Sequence, residues 1–315
     1  MPRFSVVVPT YNRAEALRRS IASVLRQTYH DFEIIVVDDG STDHTRSVVE
    51  GFADARIRYW WLPNSGGPAT PRNAGIDAAD SDWISFLDSD DLWYPKKLEM
   101  VNRTLSENPD VDAVSNDEIV HFAGSGKKRA IKHGPFTAQF YRGMLLTGNR
   151  CSTSAMTVRK AFLDAHGLRF NTSSSYVIVE DYDMWLRMAL HGANFLFLNM
   201  PLGEYVVEEG NISRDVVRHR RNLLSLLHDH VFEIQSFEPD RRSLWLKVQA
   251  RVSSEDAFVE LRARRLLGFL NHSMRAFSAS PTTALTCFWS RLRGIKSAVE
   301  TFVSGPLRLL QSPRK

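Results

Sequence analysis

Short apolar runs alternate with segments of helical period over the first 120 residues. Four of these runs are five or six residues long and rich in Val, Ile and aromatic residues, as is typical of strands that are buried on both faces. They occupy residues 4–8, 32–37, 57–62 and 83–87. Between the first two runs, one face of a predicted helix carries Ala16, Leu17, Ile21, Val24 and Leu25. The order strand, helix, strand predicts an α/β fold with a mostly parallel sheet.

Polar clusters follow three of these strands, at 9–13, 38–43 and 88–91. The carboxyl ends of parallel strands share one edge of the sheet, where ligands bind in open α/β folds. Farther along, the pattern predicts a helix over 181–191, a strand over 195–198 and a mobile loop over the Gly-, Ser- and Lys-rich residues 124–132.

The chain becomes helical and basic beyond Ser213. Residues 214–315 hold 18 Lys or Arg against 9 Asp or Glu, a net charge of +9, whereas residues 1–213 hold 22 against 27, a net charge of −5. The apolar positions of one amphipathic helix in this part are Phe288, Leu292, Ile295, Val299 and Phe302. This asymmetry predicts a negatively charged partner, either a membrane surface or a polyphosphate group.

Several classes of protein are excluded by composition. No apolar run reaches the roughly 18 residues of a membrane-spanning helix, and the first residues do not have the pattern of a secretory signal. Only Cys151 and Cys287 are present, which is too few for a disulfide framework and indicates a reducing compartment. We therefore expect a cytoplasmic protein of about two structural parts.

The most informative motif is Asp88-Ser89-Asp90-Asp91, directly after the apolar run 83–87. Carboxylates crowded at the end of a buried strand repel one another and lose solvation, and a divalent cation would offset that cost. Mg²⁺ or Mn²⁺ takes oxygen ligands, commonly one or two carboxylates together with substrate phosphates. The alternative is a solvated acidic turn that caps the next helix.

A second acidic pair, Asp38 and Asp39, ends the run 32–37 and precedes Gly40-Ser41-Thr42-Asp43. A carboxylate there could accept a hydrogen bond from a nucleobase N–H, whereas the alternative is simple turn and helix-cap chemistry.

Together these motifs resemble the family 2 inverting glycosyltransferases with the GT-A fold. The matching segments, in order, are Ser5 to Asn12, Val36 to Asp43, Gly66 to Ala69, Arg72 to Gly75, Phe86 to Trp93 and a later one at 180–190. Each segment alone is weak, but their order and spacing are specific. The resemblance implies a nucleotide-sugar donor, usually with uracil as its base, a divalent metal, and inversion at the anomeric carbon.

The resemblance also implies roles for individual residues on the donor side. Thr10 and Tyr11 would line the nucleoside pocket, and Asp39 would bind the base. Asp88 would lie near the ribose or the metal. Asp90 would be the main metal ligand with Asp91 as a second one, which corresponds to the DxD motif of this family. Arg72 would approach the nucleotide or its phosphates, as suits a guanidinium, or form a surface ion pair.

The catalytic base is expected in the segment Glu180 to Arg187, which resembles the acidic pair that opens a helix in this family. Displacement at the anomeric carbon requires a carboxylate on the face opposite the departing diphosphate. We assign that role to Asp181, with Glu180 orienting the acceptor or raising the pKa of the base through its like charge. The alternative is helix N-terminal acids that complement the macrodipole. Where relatives often place a His near the diphosphate, this chain has Glu208.

The expected organisation is a GT-A catalytic domain over 1–213 and a basic helical region over 214–315. Within the catalytic domain, residues 1–110 would bind the nucleotide sugar and residues 111–213 the acceptor, a glycan or a lipid-linked saccharide. We expect the apolar stripe of 254–277 to pack on the catalytic domain and residues 284–303 to contact anionic lipid. The protein would then be peripheral on the inner face of the cytoplasmic membrane.

Three function classes follow. The first is a hexosyl- or related transferase that acts on UDP-sugars in polysaccharide or glycolipid synthesis, with no nucleic-acid partner. The second is a non-catalytic protein of the same fold that binds sugar nucleotides or glycans. The third is another nucleotide-handling enzyme, but a dinucleotide oxidoreductase would carry G-x-G-x-x-G after its first strand, and a nucleotidyltransferase a Gly-rich triphosphate loop. Neither pattern is present at residues 9–13.

Overall fold

The protein was analysed as a computed structural model that describes residues 1–207 and 215–291. By packing, the chain divides into two compact units between Asp229 and His230. The first unit has an α/β architecture and contains all the strands of the described residues.

The nine strands of the first unit form one sheet. They are β1 Phe4–Thr10, β2 Phe32–Asp38, β3 Ile57–Trp61, β4 Trp83–Phe86, β5 Leu92–Trp93, β6 Ala113–Phe122, β7 Lys127–Ile131, β8 Thr157–Arg159 and β9 Phe195–Val207. The helices of this unit are α1 Ala14–Leu25, α2 Thr45–Glu50, α3 Ala69–Ala78, α4 Lys97–Glu107, α5 Phe140–Thr147, α6 Lys160–Ala165, α7 Glu180–Leu190 and α8 Val216–Asp229, with a 3₁₀ turn at Thr153–Ala155.

The strand order is β3-β2-β1-β4-β8-β6-β9-β5, and β7 pairs with β6. Strands β3, β2, β1 and β4 are mutually parallel. The short strand β8 lies antiparallel to both β4 and β6 and joins the two halves of the sheet. Because β1, β2 and β4 run in the same direction, Thr10, Asp38 and the acidic motif after Phe86 emerge at one edge of the sheet. The predicted α/β class with a mostly parallel N-terminal sheet is confirmed.

The apolar runs form the core as their composition predicts. Every residue of β1 and β2 is buried, and the predicted helical face of α1 packs against them through Leu17, Ile21 and Val24. The exception is β3, which is the edge strand: Trp60 is 45% exposed and Trp61 56% exposed. The expectation that the run at 57–62 is buried on both faces was therefore wrong: Ile57 to Tyr59 are half-buried, and Trp60 and Trp61 are exposed.

Two expectations for the middle of the chain need correction. Residues 127–131 are not a loop but strand β7, which forms a hairpin with β6 by pairing Phe122 with Lys127 and Glu118 with Ile131. The Gly- and Ser-rich composition marks only the turn between these strands, and the lysines that follow it are exposed on an edge strand. Strand β9 also continues past the predicted end at Leu198 to Val207, since it pairs with β6 along its length.

The second unit is helical over its described residues. It contains a π-helical turn at His230–Ile234, α9 Arg241–Arg262, α10 Leu266–Ala279 and a helical segment over 281–291. In the described ranges, every helix falls short of the length or apolarity that crossing a bilayer requires. The amphipathic helix predicted over 288–302 lies mostly outside the described residues, as does Glu208.

The apolar stripe of α10 is exposed. Leu266, Leu267, Leu270 and Met274 are 64%, 80%, 53% and 61% exposed. One position of the helix, Ala276, is fully buried.

Candidate active site

A cleft of about 900 Å³ opens at the carboxyl edge of β1, β2 and β4. Its walls come from both halves of the first unit. The cleft is lined by residues 9–13, Asp39, Asn64, 66–68, Pro71, Arg72, 88–90, Glu118, Ile131, His133, 151–153, Ile178, Glu180, Asp181 and Tyr205. The topology thus gathers the polar clusters that follow separate strands, as the sequence predicts.

The pocket at the end of β1 and β2 contains Thr10, Tyr11 and Asp39. Thr10 is buried, and its hydroxyl has no hydrogen-bond partner among the described residues, whereas Tyr11 is 47% exposed at the rim. One carboxylate oxygen of Asp39 accepts bonds from the Ser65 amide at 2.9 Å and hydroxyl at 2.7 Å. The other lies 3.3 Å from the Asn64 amide nitrogen, and the carboxylate also accepts a bond from the Gly66 amide. Asp39 lines the cleft. Burial raises the pKa of Asp39.

The carboxylates of Asp88 and Asp90 face the cleft, with side chains 30% and 18% exposed. Arg13 Nη1 lies 3.2 Å from Asp90 Oδ2. Asp88 is fixed at its backbone, where its amide donates to the Ser154 hydroxyl at 3.0 Å. Both acids line the cleft.

Asp91 lies elsewhere. Its carboxylate accepts bonds from the Ser154 hydroxyl at 2.5 Å and from the Val206 amide at 2.9 Å, and the residue is 1% exposed. Burial and the neighbouring Asp90 raise its pKa well above the ordinary value. The structure does not bring Asp91 into the cleft with Asp90, and its geometry is that of an anchor between the acidic motif and β9.

Arg72 joins the two walls of the cleft. Its guanidinium is 2.6 Å from Asp88 Oδ1 and 2.6 Å from Glu180 Oε1, and it lies over the ring of Phe170. Although burial acts to lower its pKa, the charges of Asp88 and Glu180 outweigh that effect and raise the pKa of Arg72. Both Arg72 and Glu180 are 3% exposed, so this arginine does not form a surface ion pair. Arg72 lines the cleft, and its Nε has no hydrogen-bond partner among the described residues.

Asp181 stands at the start of α7 on the acceptor side of the cleft. Oδ1 accepts the Tyr182 amide at 2.7 Å, and Oδ2 has long contacts with the Asn149 amide at 3.3 Å and the Thr153 hydroxyl at 3.5 Å. Burial, and then the like charge of Glu180, raise the pKa of Asp181 to about 7. Asp183 instead pairs with Arg187 at 2.7 Å along the helix.

The oxygen donors in the cleft fit a hard divalent cation that completes its coordination with substrate oxygens. Within the described ranges, no group of three or more His, Cys, Asp or Glu side chains forms a ready metal cage. The chemistry of Asp88 and Asp90 matches a cation bound by one or two carboxylates plus phosphates, as Mg²⁺ commonly is. Asp91 does not contribute to that donor set in this arrangement.

Two cleft residues were missed at the sequence level. Glu118 is 2% exposed, and its Oε2 contacts His133 Nε2 at 3.0 Å. Neither residue lies in a recognisable motif. Glu118 is inside strand β6, and His133 follows strand β7, which was expected to be a loop. Only the pairing of β6 with β7 brings them together, and the one available signal was a charged residue inside an apolar strand.

Lys97 is buried behind the cleft wall. It is completely inaccessible, and Nζ donates to Asn116 Oδ1 and to the Ala155 carbonyl. Burial lowers the pKa of Lys97 to about 7. The 3₁₀ turn that it supports also carries Ser154, the residue that holds the acidic motif.

The model of the family described as "Glycosyl transferase family 2" matches residues 5–164 of this chain. The chain belongs to glycosyl transferase family 2. A relative in Escherichia coli, UDP-Glc:alpha-D-GlcNAc-diphosphoundecaprenol beta-1,3-glucosyltransferase WfgD, is 30% identical over 233 residues, which cover 72% of this chain and 86% of that protein. The matched region extends past β8 and includes the acidic motif at 88–91.

Two solved structures share the fold of this chain. Residues 1–349 of S. aureus TarS, in complex with UDP, match with a TM-score of 0.61 and 19% identity, covering 99% of this chain and 94% of that one. The mannosyltransferase PcManGT from Pyrobaculum calidifontis, in complex with GDP-Man and Mn²⁺, matches with a TM-score of 0.60 and 19% identity over 92% of this chain and 80% of that one. The expected GT-A fold and the interpretation as a transferase, rather than a binding protein, are confirmed.

Proposed function

We propose that this glycosyltransferase moves a sugar, with inversion, from a uridine diphosphate sugar to a hydroxyl of a lipid-linked saccharide. One observation carries the proposal. Asp39, Asp88, Asp90 and Asp181, which follow separate strands or open α7, all line a single cleft.

The donor end supports a nucleoside diphosphate. The Asp39 carboxylate lines the cleft and suits a nucleobase N–H, and the buried hydroxyl of the neighbouring Thr10 has no partner among the described residues. Uridine is the base we propose, since the WfgD relative is named for UDP-Glc and the TarS structure holds UDP. Asp88 and Asp90 would hold Mn²⁺ or Mg²⁺, which neutralises charge on a diphosphate leaving group.

Asp181 supports a direct displacement. In this step the acceptor oxygen forms a bond to the anomeric carbon, the bond from that carbon to the diphosphate oxygen breaks, and the hydroxyl proton passes to the Asp181 carboxylate. A base is most effective when its pKa lies near the working pH, and the pKa of Asp181 is raised to about 7. A single displacement of this kind inverts the anomeric carbon.

Arg72 supports the arrangement as a positioning residue. Its two 2.6 Å bonds link Asp88 on the donor side to Glu180 on the acceptor side. Because Glu180 precedes Asp181 directly, the link fixes the base relative to the donor. The positive charge of Arg72 also lowers the pKa of Asp181 and so limits the rise that burial and Glu180 cause.

The acceptor and the location follow from the relative and from the surface of the second unit. WfgD is named for a diphosphoundecaprenol-linked acceptor, which is a membrane lipid, and a polysaccharide or glycolipid precursor of that class is our proposal here. The exposed stripe of α10 carries Leu267 and Met274, with Arg275 beside it. An apolar stripe flanked by cations suits peripheral contact with the anionic inner face of the cytoplasmic membrane.

The donor test is a thermal-shift comparison of nucleoside diphosphates and their sugars in the presence of Mn²⁺. UDP should raise the unfolding temperature more than GDP, and NMR of the product formed from a UDP-α-sugar and a lipid-linked acceptor should show a β linkage. Retention of the α configuration, or stabilisation by another base alone, would contradict the proposal.

The membrane proposal has a separate test. Flotation with vesicles containing anionic phospholipid should recover the full chain but not the variant Leu267→Ser/Leu270→Ser/Met274→Ser. The exposed face of α2 offers a control in Arg46→Gln, which should float like the wild type. Equal flotation of the wild type and the triple variant would end the proposal.

A further inference from the structure

The β6–β7 hairpin presents a face that the donor chemistry does not use. Side chains that pair directly across antiparallel strands point to the same side of the sheet, and successive residues alternate. Glu118 pairs with Ile131, and both line the cleft. The same side therefore carries the next two cross-strand pairs, Val120 with Arg129 and Phe122 with Lys127. These six residues are called the hairpin face.

This face leads out of the cleft. A two-residue step along a strand is about 7 Å, so Arg129 lies one step beyond the cleft-lining Ile131, and Lys127 lies two steps beyond it. Tyr205 of β9 continues the face on the other side of Val120 and also lines the cleft. A ligand whose sugar reaches the cleft would thus extend along these residues.

The composition of the hairpin face is both cationic and apolar. Arg129 and Lys127 are exposed, and Phe122 is a large apolar side chain that is 38% exposed. At the cleft end, Glu118 is engaged by His133 at 3.0 Å. Along the hairpin face, Glu118 lies nearest the cleft and is paired with His133. Arg129 and Lys127 lie farther out and provide two positive charges for an anionic ligand.

The opposite face of the hairpin differs. There Lys128 contacts Glu204 at 2.5 Å, and His121 contacts the same carboxylate at 3.2 Å. Glu204 also accepts a bond from the Tyr94 hydroxyl at 2.9 Å. The basic residues of that face are used within the fold, so the two faces have separate roles.

We propose that the hairpin face binds the diphosphate and the first isoprenoid units of a lipid-linked acceptor, with Arg129 and Lys127 on the phosphates and Phe122 against the chain. Guanidinium and ammonium groups suit phosphate oxygens. The donor diphosphate is assigned to Asp88, Asp90 and their cation. Arg129 and Lys127 would therefore bind a second diphosphate, that of the acceptor. This inference rests on the proposed function for its choice of acceptor.

The test measures binding of farnesyl diphosphate, a short soluble polyprenyl diphosphate, to the full-length protein by calorimetry. EDTA is present throughout, so that no divalent cation mediates binding at Asp88 and Asp90. The variant Lys127→Gln/Arg129→Gln should bind roughly 10-fold to 100-fold more weakly than the wild type, as expected for the loss of two charge-assisted contacts. The variant Phe122→Ser should weaken farnesyl diphosphate but not inorganic pyrophosphate.

A matched control removes the same charge elsewhere. Arg18 and Arg103 are exposed and lie on α1 and α4, outside the cleft lining, and Arg18→Gln/Arg103→Gln should bind the probe like the wild type. The proposal is overturned if the wild type does not bind farnesyl diphosphate, if both double variants bind it equally, or if inorganic pyrophosphate binds as tightly as the lipid.

The outcome is separable from that of the proposed function. UDP binding with Mn²⁺ should be the same in Lys127→Gln/Arg129→Gln as in the wild type. Loss of farnesyl diphosphate binding with intact UDP binding supports the hairpin face alone, whereas a wild type that binds the lipid but no uridine nucleotide would refute only the donor assignment.

Discussion

Arg72 Nη1 lies 2.6 Å from Glu180 Oε1, across 108 positions of sequence, with both side chains 4% exposed. The same guanidinium bonds Asp88. The acidic turn after β4 and the first residue of α7 are therefore held by one buried cation, and its removal tests how far stability and activity depend on that link.

Arg72→Met should destabilise the protein by about 3–5 kcal/mol, since it leaves two carboxylates without their charged partner. Urea unfolding measures this change. Arg46→Gln, which breaks an exposed helical pair with Glu50, is the control and should leave the midpoint unchanged. If Arg72→Met unfolds at the wild-type midpoint, the buried link contributes nothing to stability.

Asp181→Asn should lower kcat by roughly 10²- to 10⁴-fold, the usual contribution of a general base, while UDP binds as in the wild type. In the wild type, kcat/KM should rise with pH through about 7, because the base must be deprotonated and the pKa of Asp181 is raised to about 7. Pre-steady-state and steady-state assays against pH measure both effects. A flat profile between pH 5.5 and 8.5 would argue that another group takes the proton.

Glu180→Gln should move the acidic limb of that profile to lower pH. The charge of Glu180 is one cause of the raised pKa of Asp181, so its removal lowers the pKa and the carboxylate form persists in more acidic solution. The pH profile of kcat/KM measures the shift. Asp181→Asn is the control, because it removes the titrating carboxylate. Its profile of kcat/KM against pH should have no acidic limb.

Asp90→Ala and Asp91→Ala should have different effects. Asp90 faces the cleft, so its replacement should abolish the Mn²⁺-dependent thermal shift by UDP with little change in the stability of the free protein. Asp91 bonds Ser154 and Val206 in the interior, so its loss should cost about 1–3 kcal/mol of unfolding free energy.

Asp110→Ala, an exposed acid beyond α4, is the control for both variants. Matching losses of Mn²⁺-dependent binding in Asp90→Ala and Asp91→Ala, without destabilisation of either, would restore Asp91 as a metal ligand.

Lys97→Met should remove a pH dependence of stability. The pKa of Lys97 is lowered from 10.5 to about 7 in the fold, so between these values the unfolded chain binds more protons than the folded one. Stability from this group therefore rises with pH across that window, by at most about 1.4 kcal/mol per pH unit. Urea unfolding of both proteins at pH 7 and pH 9 measures the slope, and equal slopes would contradict it.

The sequence predicts what is local or ordered along the chain, and it fails where distant segments meet. Strands β1 to β4, the start of β9, α1 and α7 follow from apolar period, and the polar clusters at Thr10, Asp39 and Asp88 follow from strand ends, whereas β5, β6 and β8 were not predicted. The hairpin at 127–131 was missed because its charged residues lie on an edge that needs no apolar pattern. The buried position of Arg72 depends on Glu180, and that of Asp91 on Ser154. Nothing in the composition of either motif indicates such a partner.

Ser154 has a consequence for exchanging parts between relatives. Its hydroxyl accepts from the Asp88 amide and donates to Asp91, so a residue that follows β7 shapes the acidic turn that follows β4. A chimera that joins the first 110 residues to another protein's later half would lose that support unless a hydroxyl residue stands at the same point. In an exchange of segments between such enzymes, the acidic motif and the residue at position 154 should therefore be transferred together.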